Sequence, residues 1–167
     1  KPESNSASGS MTQRKAMKIR IAIDGPAGVG KTTTAKALAR DLGYLYVDTG
    51  AMYRALAVQA LENGISPDDA EASARLARKT RIKLVAAPEG PSRVYAGKAE
   101  LTDQIRSARA ADGASRISVH PDVRDAMVRM QRELSAGGGV VMEGRDIGTV
   151  VLADAEAKIF LTASPEE

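Results

Sequence analysis

A short β-branched run, Ile19 to Ile23, leads through Asp24 into Gly25-Pro26-Ala27-Gly28-Val29-Gly30-Lys31-Thr32, and Ala35, Leu38, Ala39 and Leu42 follow at helical spacing. Strand, glycine loop and helix in that order open an α/β sheet. The loop has the spacing of a phosphate-binding P-loop and lies in the strand-to-helix context that such a loop requires. Its glycines let backbone N–H groups turn inward on phosphate oxygens, and the helix beginning near Thr32 adds the positive end of its dipole. A glycine-rich turn that merely connects strand to helix is the plainer reading. Gly30, Lys31 and Thr32 together weigh against it. Gly25 through Thr33 are therefore candidate ATP contacts, with Lys31 reaching the β and γ phosphates and the Thr32 hydroxyl facing Mg²⁺. For Thr33 and Thr34, packing or capping of the helix is expected ahead of any catalytic part.

Leu45 to Val47 supplies the next strand, and Met52, Leu56 and Ala60 continue a helix. Ser66-Pro67-Asp68-Asp69 predicts a helix start with a serine cap, a proline in the first turn and acids that complement the dipole. Between Arg81 and Ile105 the texture changes. Ile82 and Leu84 alternate with Arg81 and Lys83, a Pro-Glu-Gly-Pro break follows, and Val94 and Tyr95 resume, which predicts a small antiparallel insert. Beyond Pro121 a helical stripe returns at Val123, Met127, Met130 and Leu134, and Gly137 to Gly139 ends it. Val140 to Met142 and Lys158 to Leu161 predict further strands, buried in a parallel sheet.

The 167 residues fit one domain able to bury roughly 70% of the surface its unfolded chain exposes. With no Trp, one Phe and four Tyr, the chain lacks the aromatic platforms on which single-strand binders stack bases. Its 24 basic and 21 acidic residues are interspersed and leave a net charge of +3, which suits a small anionic ligand better than nucleic acid. There is no cysteine, so disulfides and thiolate metal sites are excluded. No apolar run approaches the ~18 residues of a membrane span. A cytoplasmic monomer that contacts neither membrane nor nucleic acid is expected. Lys1 to Ser10 carries four Ser and a Gly and no large apolar side chain, so residues 1–17 read as a tag or linker and disordered N-terminus ahead of a core spanning 18–167.

A P-loop specifies a nucleotide and leaves the reaction open. Three segments narrow it: Asp48-Thr49-Gly50-Ala51-Met52-Tyr53-Arg54, then Val123-Arg124-Asp125, then Glu143-Gly144-Arg145-Asp146-Ile147-Gly148-Thr149-Val150-Val151. In this order they resemble the bacterial cytidylate kinases, and the likeness runs from about Ile19 to the last residue. The resemblance implies a three-layer P-loop fold with a five-stranded parallel sheet and a monophosphate-binding insert of antiparallel strands, which accounts for residues 81–105. It also implies transfer of the γ-phosphoryl group of ATP to CMP or dCMP with Mg²⁺. Arg54 and Arg145 would hold the CMP phosphate, Ser115, Arg124 and Asp146 would contact cytosine, and Lys31 and Arg145 would serve catalysis.

Side-chain chemistry is compatible with that allocation. Two guanidinium forks suit a phosphate dianion, and a carboxylate beside an arginine matches the 4-amino donor and the N3 and O2 acceptors of cytosine. Plainer roles remain open at this point: a solvated helix charge for Arg54, a surface pair with Asp122 or Asp125 for Arg124, a helix cap for Ser115. Glu143 stands where the family has Asp or Glu, leaving a metal-linked role open, and His120 has no assigned chemistry. Two rival readings are a shikimate-type P-loop kinase and a nucleotide-binding module without turnover. The resemblance implies a mobile arginine-rich lid and last elements after Ser164-Pro165-Glu166-Glu167, itself the pattern of a capped first helical turn. The 167 residues are expected to lack that lid.

Overall fold

A computed structural model describes residues 18–86 and 92–163. The expectations for residues 1–17, for the Pro-Glu-Gly-Pro break and for the closing Ser-Pro-Glu-Glu lie outside the described residues. Four parallel strands form the central sheet: β1 (Arg20–Asp24), β2 (Leu45–Asp48), β6 (Val140–Gly144) and β7 (Ala157–Phe160), in the order β2-β6-β1-β7. Alternation along these strands divides their side chains between two layers. Ile21, Ile23, Tyr46 and Val141 pack with Ala35 and Ala39 of α1 (Lys31–Leu42) on one face. Ala22, Val47, Val140 and Met142 turn to the other, where α2 (Thr49–Glu62) and α5 (Pro121–Ser135) supply Met52, Leu56, Val123 and Met127. The result is the expected α/β three-layer architecture.

The insert between Arg81 and Ile105 holds a three-stranded antiparallel sheet, β3 (Ile82–Val85), β4 (Arg93–Ala96) and β5 (Ala99–Glu100). Its alternating pattern places Ile82, Leu84 and Val94 in the main core and leaves Lys83 and Val85 exposed. Two more helices, α3 (Ala70–Lys79) and α4 (Ala108–Ile117), a 3₁₀ turn at Gln104–Arg106 and a π-helical turn at Ile147–Val151 complete the described elements.

Several expectations need correction. The start of α3 is capped by Asp69, which accepts the Ala72 N–H at 2.9 Å, not by Ser66. Ser66 instead closes a turn, its carbonyl accepting the Asp69 N–H, so the Ser-Pro pair stands one turn ahead of the helix. Thr33 and Thr34 are exposed and cap nothing, because Gly30 (φ 85°) is the N-cap and no side chain bonds the first turn. β7 is parallel as expected but is not buried. Among the described residues it pairs with β1 alone, and Phe160 remains 68% exposed. The described sheet has four strands, and the resemblance places the family's fifth among the last elements that the 167 residues are expected to lack, so the four-stranded sheet is in line with the expectation.

Candidate active site

The carboxyl ends of β1, β2 and β6 converge on one side of the sheet, the edge at which open α/β folds bind ligands. β1 ends in Asp24 and passes into Gly25, whose φ of 150° sends the chain sharply outward; a Cβ there would stand 2.3 Å from the Leu161 carbonyl oxygen. Only glycine fits. The loop then wraps toward α1, and the Lys31 ammonium folds back across it to donate to the Pro26 carbonyl oxygen at 2.5 Å. Loop, ammonium and helix N-terminus thus form the cradle expected of a P-loop. Thr32 and Thr33 sit exposed on the first turn of α1.

Beside the loop opens a cleft of about 420 Å³. Lys31, Arg54, Ser115, Arg124, Arg145 and Asp146 line it, together with Ala27 of the loop. Residues from five separate segments, spread over more than 110 positions, meet around one volume. The remaining loop residues, Gly25, Pro26, Gly28, Val29, Gly30, Thr32 and Thr33, do not line this cleft.

The roles left open now separate. Arg54 is half-buried and pairs with Asp48 at 3.1 Å, so it is not a solvated helix charge. Asp48 caps α2 by accepting the Ala51 N–H at 2.8 Å, which fixes the carboxylate that in turn holds Arg54 toward the cleft. Arg124 pairs with Asp146 at 2.7 Å, not with Asp122 or Asp125. Ser115 lies within α4, whose cap is Ser107, so the capping role is overturned and its side chain stands on the cleft wall. His120 precedes α5 and meets the Pro67 carbonyl oxygen at 2.8 Å, tying two segments together outside the cleft. Arg145 is exposed on the loop after β6.

Glu143 is buried at 5% exposure near the end of β6, and Tyr46 of the neighbouring strand donates its hydroxyl hydrogen to the carboxylate. Burial, then the nearby Asp48 charge, then that bond hold the Tyr46 hydroxyl well above its ordinary pKa, so it remains a donor at any physiological pH. The Tyr53 hydroxyl is also pushed up, chiefly by burial, against the lowering influence of Arg124. Among the described residues no three His, Cys, Asp or Glu side chains gather as a metal site. No helix there is long and apolar enough to cross a membrane.

Sequence reading passed over Asp48, Thr49 and Tyr53, although all three stand in the quoted motif and line the cleft. An Asp immediately before a helical stripe is a recognisable cap and was the available signal for Asp48. Thr49 donates its hydroxyl to the Glu143 carbonyl oxygen at 2.8 Å, a contact 94 residues apart that leaves no local signature.

The family model for cytidylate kinase matches residues 21–167. The chain belongs to the cytidylate kinase family. Similar curated proteins carry the same family name: one from Pelotomaculum thermopropionicum is 53% identical over 147 residues, covering 88% of this chain and 65% of the relative. One from an Exiguobacterium species is 50% identical over 149 residues, covering 89% and 66%. One from Bacillus pumilus is 51% identical over 150 residues, covering 90% and 66%. The chain thus spans just under two thirds of the length of these relatives.

Proposed function

We propose that the protein to which this chain belongs transfers the γ-phosphoryl group of ATP to CMP or dCMP, yielding ADP and CDP or dCDP. The observation that carries the reading is the Arg124–Asp146 pair at 2.7 Å on the wall of the cleft that also holds Lys31, Arg54 and Arg145. A carboxylate held by a guanidinium presents an acceptor beside a donor, the complement of the cytosine edge. Uracil reverses the pattern at positions 3 and 4 and would leave an acceptor facing the carboxylate. The family name and the three relatives support the same choice.

In this reading the P-loop holds the ATP phosphates through its N–H groups, and Lys31 exchanges the Pro26 carbonyl for phosphate oxygens. Arg54 and Arg145 take the CMP phosphate as bidentate forks and offset its repulsion from ATP. Ser115, Arg124 and Asp146 hold the base. An already anionic CMP oxygen attacks the γ-phosphorus while the bond to the β–γ bridging oxygen breaks, so no general base is needed and positioning carries most of the rate. Mg²⁺ would neutralise charge across the β and γ phosphates. Thr32 would hold it, and the absence of an acidic cage among the described residues suits a cation that keeps mainly water and phosphate ligands.

Thermal unfolding with added CMP, dCMP, UMP and shikimate tests the reading. CMP or dCMP at ~100 times its dissociation constant adds about 2.7 kcal/mol to stability, and UMP at the same concentration adds much less. Stabilisation by shikimate alone would overturn it.

A further inference from the structure

Asp24 is the last residue of β1 and is only 7% exposed. Its two carboxylate oxygens accept two successive backbone N–H groups, Ile147 to Oδ1 and Gly148 to Oδ2, each at 2.7 Å. Its own carbonyl accepts the Leu161 N–H at 2.8 Å, beyond β7. The residue after it is Gly25, the first of the P-loop, and the residues just before Ile147 are Arg145 and Asp146. One buried carboxylate therefore joins the start of the donor-phosphate loop to the loop that carries two acceptor-site side chains. Among the described residues no lysine or arginine forms an ion pair with it, and its carboxylate is held by the two N–H donors.

We infer that Asp24 is a positioning residue: its carboxylate fixes the Arg145–Asp146 loop against the P-loop, setting how the two substrates face each other. The inference rests on the reading of this cleft as a CMP kinase site. Each half of the site is built from its own elements, the P-loop from β1 and α1, the base pair from α5 and the loop after β6. Loss of the Asp24 clamp leaves both halves able to bind and changes their mutual placement. In-line transfer is sensitive to that placement, since a displacement of ~1 Å can cost about 10²-fold in rate.

Asp24→Asn keeps the shape and offers one oxygen where two are needed, so one N–H meets an amide donor instead of an acceptor. Gly148→Ala attacks the same contact from the other side. Gly148 does not have a positive φ, and its added methyl would meet Asp24 Oδ2 at 3.2 Å and the Lys158 side chain at 3.3 Å, so the carboxylate or the loop must give.

The test uses the full-length enzyme, measuring kcat, calorimetric affinities for CMP and for a non-hydrolysable ATP analogue, and the amide resonances of Ile147 and Gly148. For Asp24→Asn the expected result is a fall in kcat of about 10²-fold with both affinities kept within about fivefold. The two amides should also shift and exchange faster. Gly148→Ala should show the same signature to a smaller degree, and it decides the matter if Asp24→Asn does not fold. Unchanged kcat per folded molecule, or a loss confined to CMP affinity, would overturn the inference. If the wild-type enzyme fails to phosphorylate CMP, the functional reading fails instead, while the amide resonances still report whether the clamp exists.

Discussion

Lys31 and Arg54 both rest on a protein partner, the ammonium on the Pro26 carbonyl and the guanidinium on the Asp48 carboxylate, and in the proposed function an incoming phosphate replaces both. Such contacts hold long cationic side chains near their working position and reduce the ordering cost paid on binding. Lys31→Ala should abolish measurable CDP formation while leaving the unfolding temperature nearly unchanged, because its side chain contributes no core contact. Near-normal turnover by that variant would detach this loop from ATP. Away from the cleft, Arg20 holds both Asp154 and Glu156, and its guanidinium and backbone N–H draw the Glu156 carboxyl down to about 2 from an ordinary 4.5. A carboxylate depressed in the folded state stabilises above its unfolded pKa, and that contribution disappears as pH falls through the folded value. Glu156→Gln should therefore be less stable than wild type near pH 7, with the difference shrinking between pH 4.5 and 2. The pair is exposed, so the gap is small and salt reduces it further. Urea titrations at several pH values would measure it, and a gap independent of pH would refute the assignment.

At the scale of elements, α2 links the core to the site. Its cap, Asp48, orients Arg54, while Met52 and Leu56 on its inner face are fully buried against the sheet and α5. Leu56→Ala should cost about 2–5 kcal/mol by lost burial and the cavity left behind, and chemical denaturation would read it as a lowered midpoint at unchanged slope. A cost below ~1 kcal/mol would mean that this helix is not anchored there. The elements were legible where periodicity and turn residues agreed. The strand at Ile19 to Ile23, the stripe from Val123 to Leu134 and the alternation at Ile82 and Leu84 all recur in the structure within a residue or two. Ser66 misled because serine, proline and acids mark turns as readily as helix starts, and Asp69 was the better-placed acceptor. The end strand misled because an apolar run such as Lys158 to Leu161 states a preference for a sheet without stating what covers it. Arg54, Arg124, Arg145 and Asp146 could be nominated from local motifs, whereas the Arg54–Asp48 and Arg124–Asp146 pairs, and the Asp24 contact to Ile147 and Gly148, join residues 6 to 124 positions apart.

Across the whole molecule, the sheet brings the glycine loop and the cleft to the same edge, and the proposed function turns on which nucleotide that cleft selects. A site built around buried hydrogen bonds can reject the wrong partner by as much as ~10⁴-fold, and a solvated pocket does so less strongly. Arg124 and Asp146 are partly solvated, with side-chain exposures of 48% and 36%, so a preference for CMP over UMP of ~10² to 10³ in kcat/KM is expected. The most direct measurement is kcat/KM of the full-length enzyme for CMP and for UMP, in wild type and in Asp146→Ala. Asp146→Ala should lower CMP turnover and narrow the ratio by at least tenfold, about 1.4 kcal/mol of lost discrimination. Equal loss for both substrates, with the ratio preserved, would contradict it.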